Sequence, residues 1–199
     1  MIVQISIFNY GVGNLYSIAA ALRREGATPR ITKNVKRIRD SDAILLPGVG
    51  SFTQATRMLP RETILETVQS GKPVLGICLG LQLFFRDSEE GRGEGLGLLP
   101  GRVRRLPESV KVPQIGWNTI KIRNVGELLD GVPDDSWVYY VHSYYPSTRG
   151  GWVAATSEYG VEYPCIVTSR NLFGTQFHPE KSGTTGRRIL RNFLRAVRR

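Results

Sequence analysis

The spacing of apolar residues changes along the chain. Residues 2–8 (IVQISIF) form a short apolar run ending at Asn9-Tyr10-Gly11, which predicts a buried strand entering a turn. From Leu15 to Arg24 the apolar positions fall at 15, 18, 19 and 22, a helical spacing closed by Gly26 as a C-cap. Strands are expected at 28–32 and at 42–46 (DAILL), the second stopped by Pro47-Gly48-Val49-Gly50. A helix over 61–69 ends before Gly71, a strand runs from Pro73 to Ile77, and a helix follows over 79–86. Strand and helix therefore alternate through residue 90, the pattern of a parallel sheet with right-handed crossovers.

The second half has another rhythm. Short β-rich runs occur at Gly101–Leu106, Asn118–Ile122, Trp137–His142, Trp152–Ser157 and Cys165–Thr168, separated by Gly, Pro and Asp, which suggests hairpins. Leu172–His178 reads as another strand, and a terminal helix is expected from Gly183 onward. No repeat or linker interrupts the chain, so residues 1–199 are expected to form one α/β domain, a mostly parallel sheet flanked by helices with an antiparallel extension in the second half.

Composition narrows the classes. Hydrophobic residues are 41% of the chain and charged residues 22%, values of a globular protein rather than a disordered one. No apolar run is long enough to cross a membrane, and the opening MIVQISIFNYG has neither a basic region nor a small-residue cleavage site. Only Cys78 and Cys165 occur, which excludes a disulfide scaffold and makes the cytoplasm the expected location. The net charge of +10 raises nucleic-acid binding. Six arginines with no acid lie within 187–199, however, so the rest of the chain holds only +4. Ile189, Leu190, Phe193, Leu194 and Val197 recur at helical spacing there, with Arg188, Arg191 and Arg195 on the other face, as in a docked helix with a solvated basic side.

Candidate chemistry centres on Gly76-Ile77-Cys78-Leu79-Gly80, a G-x-C-x-G segment between a predicted strand and a predicted helix. This is the spacing of a nucleophile elbow, in which a strained turn needs neighbours without side chains. The helix start would favour the thiolate, and the Leu79 N–H would be free to meet a developing oxyanion. A buried, inert cysteine is the alternative for Cys78, and the expectation for Cys165. Of two histidines, His178 ends an apolar strand and opens His178-Pro179-Glu180, whose alternation puts Glu180 on the same side as the imidazole. Cys78, His178 and Glu180 thus form a candidate triad. His142, in Tyr139-Tyr140-Val141-His142-Ser143-Tyr144-Tyr145, reads as a packed or rim histidine. No residue set suggests a metal, and no cofactor is expected.

These residues resemble the class I, triad-type glutamine amidotransferases. The shared elements are Pro47-Gly48-Val49-Gly50, Gly76-Ile77-Cys78-Leu79-Gly80 with Gln82, and Phe177-His178-Pro179-Glu180, in the family's order and across essentially the whole chain. Within that family the chain looks like the glutaminase subunits of imidazole glycerol phosphate synthase. Asn9-Tyr10-Gly11-Val12-Gly13-Asn14-Leu15, Gln114-Ile115-Gly116-Trp117-Asn118 and His178-Pro179-Glu180-Lys181-Ser182 carry that finer likeness.

The resemblance implies a flavodoxin-like fold and hydrolysis of L-glutamine through a Cys78 thioester. Leu79 and the Gly48-Val49-Gly50 loop would supply oxyanion N–H groups, and Gln82, Glu90, Ser143 and Tyr144 would hold glutamine. It also implies a separate (β/α)₈-barrel synthase subunit as heterodimer partner, met by Asn14, Tyr139 and Lys181, with the Gly-rich loop as a partner-controlled switch. A glutaminase serving another synthase, a partner-free cysteine hydrolase and a nucleic-acid-binding protein remain as alternatives at this point.

Overall fold

The computed structural model describes residues 2–11, 15–48 and 50–199. The elements are β1 (Val3–Phe8), α1 (Leu15–Arg24), β2 (Ala27–Thr32), α2 (Val35–Asp40), β3 (Ala43–Leu46), α3 (Phe52–Met58), α4 (Arg61–Gln69), β4 (Val74–Ile77) and α5 (Leu79–Gln82). The second half contributes β5 (Arg102–Arg105), β6 (Gln114–Thr119), β7 (Lys121–Ile122), β8 (Trp137–His142), β9 (Tyr144–Ser147), β10 (Val153–Glu158), β11 (Glu162–Ser169), β12 (Leu172–Thr175) and α6 (Gly183–Val197).

Eight strands form one sheet in the order β2-β1-β3-β4-β12-β11-β10-β7. The pairs from β2 through β12 are parallel, and those from β12 to β7 antiparallel. Two ribbons, β5-β9 and β6-β8, complete the expected antiparallel extension. Alternate residues of the central strands feed two cores. Ile5, Ile7, Leu45 and Leu75 pack with α1 and α6. Ile44, Leu46 and Val74 pack with α2, α3, α4 and α5. The apolar runs of β1, β3 and β4 follow from burial on both faces.

Three differences from the sequence reading have local causes. Helices α2 and α3 were not expected; Asn34 Oδ1 and Ser51 Oγ cap them by accepting from Arg37 N at 3.1 Å and Gln54 N at 3.2 Å. The helix expected over 79–86 is only Leu79–Gln82. The carbonyls of Leu83, Phe84 and Arg86 instead accept from Leu96, Leu98 and Gly95 of the returning chain. Strand β12 ends at Thr175, short of His178, although Gln176 N still donates to the Cys165 carbonyl at 2.8 Å.

Helix α6 buries Ile189, Leu190, Phe193 and Leu194, as its spacing predicts. Its arginines stay on the exposed side, as expected, and four of them reach acidic partners there. Arg187 and Arg191 place Nε 3.0 and 2.9 Å from the two oxygens of Glu25, a carboxylate only 3% exposed. Arg195 pairs with Asp130 at 3.1 Å, and Arg199 pairs with Glu127.

Candidate active site

Strands β3, β4 and β12 are parallel neighbours that end at one edge of the sheet, where open α/β sheets place their sites. Leu46 pairs with Gly76, and Gly174 with the same Gly76, so the three strands end level. Beyond β3 come Pro47 and Gly48, beyond β4 comes Cys78, and beyond β12 comes the segment 176–180. Three stretches far apart in sequence thus converge.

Cys78 has φ 50° and ψ −103°, a conformation sparsely populated by residues with a side chain. The glycines around it are sterically required. A Cβ on Gly80 would lie 1.9 Å from the Leu46 carbonyl oxygen, and one on Gly76 would lie 2.5 Å from that of Gly80. With α5 one turn long, the elbow gains a free N–H at Leu79 rather than a long helix dipole.

His178 Nδ1 lies 2.9 Å from Glu180 Oε1, with both side chains almost entirely buried. A carboxylate only accepts, so Nδ1 bears the hydrogen and Nε2 is left for chemistry. Nε2 is buried and meets no partner at hydrogen-bonding geometry among the described residues. Burial opposes a charged imidazole, but Cys78 and Glu180 together outweigh it and raise the His178 pKa. The backbone here is clamped. His178 N donates to the Tyr139 carbonyl at 2.9 Å. Ser182 Oγ donates to the His178 carbonyl at 2.7 Å and accepts from Tyr139 N at 3.0 Å.

An open cleft of about 310 Å³ adjoins Cys78 and is lined by Gly48, Gly50, Leu79, Gln82, Glu90, Ser143 and Tyr144 among others. Every expected oxyanion and substrate residue that is described therefore borders one cavity; Val49 lies outside the described residues. Glu90 Oε2 accepts from Phe52 N at 2.8 Å at the start of α3. Burial raises the Glu90 pKa and that bond lowers it, with burial the larger effect. Gln82 Nε2 donates to the Tyr144 carbonyl at 2.8 Å, so its free Oε1 is the atom left for a ligand. Leu106 N donates to the Ser143 carbonyl at 2.9 Å and fixes that wall.

His142 is packed, as the sequence suggests. Its Nδ1 lies 2.9 Å from the Tyr144 carbonyl, and burial holds its pKa down to about 4. Cys165 is core, its thiol pushed up to about 12 by burial. Lys181 Nζ sits 5.7 Å from the centre of the Tyr139 ring, so these two expected contact residues meet. Asn14 lies outside the described residues. Beside Tyr139 the β6-β8 ribbon exposes Ile115, Trp117 and Trp137, at 63%, 53% and 58%. Among the described residues no His, Cys, Asp and Glu group could hold a metal ion. Two polar groups escaped the sequence reading. Ser182 was seen only as part of a motif. Gln176, fully buried beside Cys78, could have been found as the polar residue in an apolar strand that points the same way as His178.

Comparison with known proteins agrees with this arrangement. The family model described as "Glutamine amidotransferase class-I" matches residues 6–197. A Methanosarcina mazei protein named imidazole glycerol phosphate synthase subunit HisH is 51% identical over 197 residues, covering 96% of this chain and 98% of the relative. Relatives of the same name from Archaeoglobus fulgidus and Methanothermobacter thermautotrophicus are 48% and 47% identical, each covering 98% of this chain and 100% of the relative. In fold, the chain is similar to the structure of PurLQS from Thermotoga maritima, with TM-score 0.78 at 20% identity, covering 98% of this chain and 99% of that one. With a cysteine elbow and a His–Glu pair on adjoining strand ends, and a family match spanning nearly every residue, the chain belongs to the class I glutamine amidotransferases.

Proposed function

We propose that the chain is the glutaminase subunit of an imidazole glycerol phosphate synthase, hydrolysing L-glutamine and passing the ammonia to a synthase subunit in histidine biosynthesis. The observation that carries this reading is the 48–51% identity over nearly the full length to subunits of that enzyme, joined to a cleft bordered by Cys78, whose thiol together with Glu180 raises the pKa of the buried His178.

In this mechanism Cys78 thiolate attacks the side-chain amide carbon of glutamine while His178 holds the proton. The oxyanion meets the Leu79 N–H and N–H groups of the Gly48–Gly50 turn. His178 Nε2 gives its proton to the departing nitrogen, which leaves as ammonia, and the γ-glutamyl thioester remains on Cys78. Water, deprotonated by His178, cleaves the thioester to glutamate. Glu180 orients the imidazole and offsets its charge. Gln82, Glu90, Ser143 and Tyr144 hold the substrate; the Glu90 carboxylate, on the cleft wall, suits an α-ammonium group.

Ammonia needs an acceptor chain, for which a (β/α)₈-barrel synthase subunit in a heterodimer is the reading. The aromatic face of β6 and β8, with Tyr139 and Lys181, supports docking next to the triad. The cytoplasm is the proposed location, and no helix among the described residues is long and apolar enough to cross a membrane. The test is Cys78→Ala in the reconstituted pair. Glutamine-dependent turnover should vanish while turnover on ammonium salts persists; loss of neither, or of both, overturns the reading.

A further inference from the structure

Outside the triad, one fully buried polar side chain touches the sulfur of Cys78. The register that pairs Gly174 with Gly76 and Thr175 with Ile77 brings Gln176 level with the elbow. Cys78 N donates to the Thr175 carbonyl at 2.7 Å, which fixes that alignment. Gln176 has no exposed surface, and its Nε2 lies 3.3 Å from Cys78 Sγ.

The orientation of this amide decides its effect, and a chain of one-way partners sets it. The Tyr144 carbonyl can only accept, so the Gln82 atom 2.8 Å from it is the NH₂ nitrogen. The same nitrogen lies 3.2 Å from Gln176 Oε1 and gives it the second hydrogen. With its oxygen engaged there, Gln176 turns its NH₂ to the sulfur. His142 Nδ1 steadies the anchor at the Tyr144 carbonyl, 2.9 Å away.

The two polar groups on the sulfur act in opposite directions. The Val141 carbonyl, 3.8 Å from Sγ, suits the thiol, because only the thiol has a hydrogen to give. The Gln176 N–H suits the thiolate, since a bond to an ionised acceptor is the stronger kind. We infer that Gln176 is a further catalytic residue of the cleft: its amide donates to the Cys78 sulfur, stabilises the thiolate and fixes the sulfur's direction of attack, with Gln82 and the Tyr144 carbonyl holding it in that sense. Gln176 transfers no proton; the Cys78 proton goes to His178. The inference rests on Cys78 being the glutaminase nucleophile.

The titratable groups around Cys78 are His178 and Glu180 beyond β12, His142 on β8, Tyr144 on β9, and Glu90 across the cleft. Helix α5 and the Pro47–Gly50 turn bring none. None of these changes in Gln176→Met, which keeps length without a donor, or in Gln176→Glu, which presents an acceptor.

The experiment follows iodoacetamide alkylation of Cys78 from pH 4 to 9 in the complex with the synthase subunit, beside glutaminase kcat and KM. Gln176→Met should raise the alkylation midpoint by about one pH unit, the size of one charge-assisted bond, and Gln176→Glu by more. In Gln176→Met, kcat should fall about tenfold with KM for glutamine within about threefold. Turnover on ammonium salts, which bypasses Cys78, reports an intact complex. An unmoved midpoint in both variants overturns the inference, as does joint loss of ammonium-dependent turnover, which would assign Gln176 to folding alone. Full glutaminase activity in Cys78→Ala would instead remove the nucleophile reading beneath it.

Discussion

His178 and Glu180 share one hydrogen bond, Nδ1 to Oε1 at 2.9 Å, with side chains 3% and 8% exposed. So buried a pair fixes both the tautomer and the charge of the imidazole. Glu180→Gln keeps the shape and removes the charge. Glutaminase kcat should fall by about 10²–10⁴-fold. The His178 pKa, raised in part by Glu180, should drop, so the loss of its proton, and with it the alkaline limb of the glutaminase pH profile, should move to lower pH. A pH–rate profile of the complex with glutamine checks this; an unmoved alkaline limb contradicts it.

Glycine spacing at the elbow is a steric requirement of the fold. Gly80→Ala drives a methyl group into the Leu46 carbonyl, where backbone has to give way. Destabilisation of about 3 kcal/mol or more is expected. Gly151→Ala, with nothing within 4 Å of the new methyl group, should change stability by less than about 0.5 kcal/mol. Urea unfolding of the two variants side by side decides it.

His142 links stability to pH. Its folded pKa of about 4 lies below the ordinary 6.5, because burial disfavours the cation. The unfolded chain therefore binds the proton more readily. Stability from this residue is fully present above pH 6.5 and declines as pH falls through the window to 4. The full decline is about 3 kcal/mol. His142→Gln, whose NH₂ can still reach toward the Tyr144 carbonyl, should lose less stability between pH 7 and pH 5 than the parent. Equal losses in denaturant titrations at the two pH values would exclude His142 as the source.

Trp117 and Tyr139 stack edge to face with centroids 5.9 Å apart on the exposed side of the β6-β8 ribbon. If that face meets the synthase subunit, Trp117→Ala should weaken the complex by at least about 30-fold, the scale of an aromatic anchor. Titration calorimetry of the two subunits measures it. Glutaminase activity of the isolated chain should stay unchanged and well below that of the complex.

Much of this was legible in the sequence, for reasons that differ by element. Strands β1, β3 and β4 are buried on both faces and announce themselves as apolar runs. The elbow was legible because a steric rule leaves glycines at fixed offsets from Cys78. Helix α2 was not, since it buries only Ile38 along VKRIRD and has no stripe to detect. The length of α5 depends on Leu96 and Leu98 capturing carbonyls from a distance. The exposed basic face of α6 was legible, but its ion pairs were not, because the partners Glu25, Glu127 and Asp130 lie elsewhere in the chain.

The place of β12 between β4 and β11 has a consequence in time. It is the strand that joins the parallel and antiparallel parts of the sheet, and it carries Gln176 and His178 to Cys78. A ribosome delivers Cys78 long before it delivers β12. Until β12 inserts, the emerging polypeptide holds a cysteine without its base, and free glutamine in the surroundings is safe from it. Completion of the sheet is therefore what first brings the cysteine and the imidazole together, ahead of any control by a partner.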